Sequence, residues 1–155
     1  MKTFFLLFAF CTASTLNFAQ GLEGRYYGVD DEGKGEWLRF SPTGYFSAVH
    51  DVNGEHYGTF QWNGQLLALD FFPNDRLPQG AYVELQCRRM GNGGLLITAT
   101  NGTSVHYEYY DNETFTLEEL HILSEMSQMM HRLQMDIIDN MDGQDDWIWV
   151  KERKY

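Results

Sequence analysis

The stretch Trp37-Leu38-Arg39-Phe40-Ser41-Pro42-Thr43-Gly44-Tyr45-Phe46-Ser47-Ala48 decides the fold. Successive side chains of an extended chain point to opposite faces, so Leu38 and Phe40 share one side, as do Phe46 and Ala48. Between them sits a turn, and alternation, turn, alternation is the pattern of a β-hairpin. The same rhythm continues along the chain. Runs over 23–29, 35–41, 45–51, 55–62, 65–72, 81–90, 94–100 and 104–110 read as strands. Asn53-Gly54, Asn63-Gly64, Gly91-Asn92-Gly93-Gly94 and Asn101-Gly102 separate them. Asn-Gly suits the two-residue hairpin loop, whose central residues take positive φ.

Tight links between successive strands favour an up-and-down meander over a Greek key, and no βαβ spacing appears. The longer connection 73–80, with Pro73 and Pro78, is expected to cross an open end. Eight antiparallel strands expose two edges unless the sheet closes on itself, and closure is the usual remedy. The expected fold is therefore mainly β: an eight-stranded up-and-down antiparallel barrel. Its candidate lining is Leu38, Phe40, Phe46, Leu67, Leu69, Val83, Leu85, Tyr107 and Tyr109, with Leu95, Ile97 and Val105 in phase. A closed barrel of this size holds packed side chains or one small ligand.

After the meander the period changes. Thr116-Leu117-Glu118-Glu119 is a capping box, and Phe115 and Leu120 are placed as a hydrophobic staple. One long α-helix is expected over 117–141, stopped near Gly143. Leu120, Leu123, Met126, Met130, Leu133 and Ile137 form its apolar stripe. Trp147-Ile148-Trp149-Val150-Lys151 alternates again and predicts a ninth strand over 147–153.

Residues 1–19 have the order of a secretory signal peptide: Lys2, an apolar run from Phe4 to Phe10, then small polar residues ending at Ala19. The run is far short of the about 20 residues that span a bilayer. Export to the periplasm or exterior is the expectation, leaving residues 20–155 as one domain. Phe10 is too bulky beside Cys11 for a lipoprotein leader. Cys87 then stands alone, so no internal disulfide is available, and its alternation with Val83 and Leu85 makes it a buried, inert thiol. The formal charge of −11 repels phosphate backbones and anionic lipid, which argues against nucleic-acid partners.

Eight meander strands, a helix and one late strand is also the order of the lipocalins, and the chain resembles the lipocalin-like domains of exported bacterial proteins. Gly24-Arg25-Tyr26-Tyr27 looks like the family's Gly-x-Trp signature, with Tyr26 at the tryptophan position. Trp37 to Phe46, and Gly58-Thr59-Phe60 followed by Asn63-Gly64-Gln65-Leu66, resemble hairpins of those domains. The helix is about twice the length of a typical lipocalin helix. The resemblance implies a calyx for a small apolar molecule.

Catalytic signatures are not found. There is no Gly-x-Ser-x-Gly, and the turn 91–94 is followed by no Lys-Ser/Thr and helix of a phosphate loop. Asp30-Asp31 and Asp145-Asp146 fall in loops. The acidic stretch 139–146 fails the EF-hand register, because Ile138 and Trp149 occupy ligand positions when Gly143 is set at the invariant glycine. Met126, Met129, Met130 and Met135 lie near His121 and His131, a set that suits copper(I) but also suits core filling or a partner surface. The Asn101 and Asn112 sequons bear on function only in a eukaryotic secretory pathway.

Three functions follow as expectations. The first is a non-catalytic exported protein that holds a small apolar ligand in its barrel without a cofactor, with Arg89 or His50 orienting a polar head at the rim. The second is a solid-cored barrel that meets an envelope protein through its methionine-rich helix. The third is a weak copper or calcium binder.

Overall fold

The computed structural model describes residues 21–140. Its strands are β1 (Gly24–Val29), β2 (Gly35–Phe40), β3 (Tyr45–His50), β4 (Gly54–Trp62), β5 (Leu66–Phe71), β6 (Ala81–Arg89), β7 (Leu95–Thr98) and β8 (Ser104–Asp111), followed by helix α1 (Leu117–Asn140). Each strand pairs antiparallel with the next and β1 pairs with β8, so the sheet is a closed eight-stranded barrel, as expected. The proposed signal peptide 1–19 and ninth strand 147–153 lie outside the described residues.

Four hairpins close by one device. At β7–β8, Gly102 N–H donates to Ala99 O at 2.9 Å and Ala99 N–H donates to Thr103 O at 2.8 Å. Gly102 takes φ +86°, the left-handed position that follows a type I turn in a three-residue loop. The same bond pattern joins Asp30 to Lys34, Ser41 to Tyr45 and Met90 to Gly94. The two-residue turn expected at Asn101-Gly102 is thus corrected. Asn101 instead accepts the Thr103 N–H on its own side chain at 2.9 Å, and the loop has three residues. A two-residue turn does follow β4, but its central pair is Gly64-Gln65, one position later than the Asn63-Gly64 reading, with Asn63 N–H bonded to Leu66 O at 3.2 Å.

The ladders turn one face of every strand inward. Tyr26 pairs with Leu38, Leu38 with Ala48, Phe40 with Phe46, Phe60 with Leu69, and Leu67 with Leu85. These residues, with Cys87, Leu95, Ile97 and Tyr107, pack into a single core inside the barrel. Phe40 stands edge-on to Phe60 with ring centroids 4.8 Å apart, and Phe46 edge-on to Phe71 at 5.0 Å, a favourable arrangement for aromatic quadrupoles.

The helix begins as its sequence requires. Thr116 Oγ1 accepts the Glu119 N–H at 3.2 Å and Glu119 Oε2 accepts the Thr116 N–H at 2.7 Å. It packs outside the barrel, where Leu123 and Phe115 meet Phe72 in a second small cluster with Tyr45, Tyr57, Leu120, Met126 and Met130 around it. Arg39 ties it down, bonded to Glu119 at 3.0 Å and lying 4.0 Å over the Phe115 ring.

Two inward glycines make room for rings. A Cβ on Gly28 would lie 2.7 Å from the Tyr107 ring, which cannot move aside because the Tyr107 hydroxyl is bonded to Glu36. Gly28→Ala is therefore expected to lower stability by about 1–3 kcal/mol in urea denaturation. Gly91→Ala, where nothing lies within 4 Å, should change it far less.

Candidate functional site

Of the residues read as lining, Leu38, Phe40, Phe46, Leu67, Leu69 and Tyr107 are each 5% exposed or less, in contact with one another and not around a space. Leu85 and Val83 are half-buried. Tyr109 is exposed and stands edge-on to Tyr26 at 5.4 Å, in the mouth where β1 begins. Tyr26 is buried there, and its hydroxyl donates to Glu23 O at 3.2 Å. Arg89 is exposed at this Tyr26 end, 5.7 Å from the Trp62 ring. His50 lies at the opposite mouth, so the two rim candidates cannot serve one ligand.

At the His50 end the apolar packing stops and the inward positions become polar. Glu36 and His50 face each other across β2 and β3, and His56 stands across from Ala48 on β4. Glu36 accepts the Tyr107 hydroxyl proton, while burial and the adjoining carboxylate hold that phenol well above its ordinary range. His50 Nδ1 accepts the Val52 N–H at 3.1 Å and the Asn53 N–H at 3.3 Å, which leaves the neutral ring's proton on Nε2, 3.7 Å from Asp30. His56 Nδ1 accepts from the Asn74 amide at 2.9 Å, so its Nε2 proton points to Asn53 O at 3.1 Å. Both imidazoles are fixed in orientation by the backbone of adjoining loops.

The connection 73–80 completes this mouth. Asn74 Oδ1 accepts the Arg76 and Leu77 N–H groups at 2.8 and 2.9 Å, and Arg76 donates to Val52 O at 2.8 Å. The result is an open cup of about 410 Å³, lined by Glu36, His50, Asn53, His56 and Arg76 with Ala48, Phe71 and Leu77 as its apolar part. A shallower space of about 510 Å³ at the Tyr26 end is bounded by Tyr26, Arg89, Tyr109 and Asn112. A larger groove of about 800 Å³ lies on the outer face of β5 to β7, but Arg88 is the one charged side chain along it. The cup is where polar groups of several types converge beside a small apolar patch.

Cys87 is buried inside the barrel, and burial pushes its thiol up to about 11, as an inert core cysteine requires. Among the described residues no group of three or more His, Cys, Asp or Glu side chains is placed to hold a metal ion. Met126 and Met130 are half-buried against the barrel, whereas Met129, Met135, His121 and His131 face solvent. Most of the acidic stretch 139–146 lies outside the described residues. No family profile, curated protein or solved structure matches the chain.

Glu36, His56, Asn74, Arg76 and Leu77 were absent from the sequence-derived site. Strand parity carries the signal for two of them: Glu36 is in phase with Leu38 and Phe40, and His56 with Gly58 and Phe60.

Three carboxylates are held below their ordinary range. Asp30 accepts the Lys34 and Glu32 N–H groups, and Asp111 is bonded by Arg25. At Glu119 burial opposes ionisation, but the Thr116 N–H and Arg39 outweigh it. Their stabilisation is complete above the unfolded carboxylate range near ~4 and is lost as pH falls through the lower folded values. Burial raises Asp70 instead, an effect of opposite sign. Urea denaturation should show lower stability at pH 3 than at pH 6, and Asp111→Asn should flatten that slope.

Proposed function

We propose that the chain is an exported, non-catalytic binding protein whose small ligand docks in the cup at the His50 end, not deep within the barrel. One observation carries the reading: Glu36, His50, His56 and Arg76 converge on a cup of about 410 Å³ whose apolar floor is Ala48, Phe71 and Leu77. Such a cup takes a molecule with a short apolar body and a polar head, the body on Phe71 and Leu77 and the head against Arg76 and Glu36. Both imidazoles are already held by the adjoining loops, so these walls of the cup need little ordering on association. The export expectation rests on the Lys2, Phe4–Phe10 and Ala19 order. The resemblance to lipocalins, barrels that hold small molecules, supports the ligand class, and the packed interior favours docking at the mouth.

The test is a ¹H–¹⁵N NMR titration with a medium-chain carboxylate, the matching alcohol and the matching amine. At least one is expected to give saturable shifts, one ligand per chain, clustered on residues 36, 48–56 and 71–77. Leu77→Asp should weaken binding at least about tenfold, the loss from charging an apolar contact. Shifts centred on Leu67 and Ile97, or none with any of the three, would contradict the reading.

A further inference from the structure

The helix presents a second apolar stripe, of which the barrel partly covers Met126 and leaves the other three residues exposed. Ile122, Met126, Met129 and Leu133 follow one another at spacings of four, three and four, the alternation of a coiled-coil seam. Leu123, on the adjoining face, is the residue that buries itself on the barrel. Ile122, Met129 and Leu133 are 49%, 55% and 50% exposed, and every described side chain from His131 to Met135 is exposed. The stripe thus continues along a part of α1 that leaves the barrel surface.

We propose that this stripe pairs with the same stripe of a second copy, the two helices running antiparallel about a two-fold axis. The spacing is its own mirror under that operation: Ile122 falls opposite Leu133, and Met126 opposite Met129, giving a closed set of four apolar layers. Charge decides between the orientations. Glu125 and Arg132 flank the seam on the side away from Leu123, at equivalent positions seven residues apart. The antiparallel register sets Glu125 of each copy beside Arg132 of the other, two complementary contacts. A parallel register sets the two Glu125 residues on opposite sides of the seam, each facing Met130 of the partner, and gains no complementary contact. Within its own chain Glu125 meets only His121 among the described ion pairs, at 3.5 Å on an exposed surface, so it is free to turn to a partner. The formal charge of −11 per chain opposes association at long range, but at physiological ionic strength that repulsion is screened beyond about 8 Å. The isologous form also closes on itself, so it forms a dimer and not a filament.

Sedimentation equilibrium of the full chain at increasing concentration tests this, with far-UV circular dichroism confirming that each variant is folded. The wild type is expected to reach a dimer. Met129→Lys should be monomeric throughout. Arg132→Glu should weaken the dimer on the order of tenfold by exchanging two exposed ion pairs for two repulsions, and adding Glu125→Arg should restore it. A wild type that stays monomeric overturns the proposal. So does a dimer indifferent to Met129→Lys, or one that the double charge exchange fails to restore.

Discussion

Closure of β1 on β8 is the constraint on which the rest of the structure depends. Arg25 holds that seam from outside: its Nε donates to Asp111 at 2.9 Å, a second nitrogen lies 2.9 Å from Glu113, and the guanidinium sits 5.2 Å from the Tyr110 ring and 5.8 Å from Trp37. The register shifts between Arg25 and Tyr26, so Asp111 opposes Arg25 while Tyr109 opposes Tyr26. That bulge lets Tyr109 face the mouth and leaves Tyr110 outside, stacked edge-on to Trp37 at 5.0 Å. Once the seam is made there is no free edge, and the volume within eight strands is set.

That volume is filled from within the chain. Tyr26, Phe40, Phe46, Phe60 and Tyr107 all turn inward, and glycine at positions 28 and 58 removes the side chains that the rings of Tyr107 and Phe46 would otherwise strike. Aromatic rings on opposed strands of a narrow barrel leave little room for a guest. Binding chemistry is consequently displaced to the mouths and to the outer surface. At the His50 mouth the strands end in polar inward positions that the crossing loop 73–80 braces, and outside the barrel the helix carries apolar residues beyond the sheet that supports it.

Most of this architecture was legible because its signals are local. Strand periodicity, turn glycines and the Thr116–Glu119 box each act within a few residues, and the observed elements begin and end within one or two residues of their expected bounds. Which residues face inward was equally plain for Leu38, Phe40, Phe46 and Leu67. Whether those residues surround a ligand or one another was not, because that depends on how rings from non-adjacent strands meet. The site was illegible for the same reason: Glu36, His56 and Arg76 lie up to forty positions apart in sequence and converge only through strand register and the path of a loop. His50 was found because it ends an alternating run. Glu36 carries a weaker signal, because a charged residue at the start of a strand ordinarily reads as solvated surface.

A filled interior is the central claim, and methyl NMR under xenon pressure tests it most directly, since xenon enters dry apolar cavities without needing a polar contact. In a filled barrel the methyl signals of Leu38, Leu67, Leu69 and Ile97 shift only in proportion to pressure. Saturable shifts at those methyls would show a hollow calyx and contradict it.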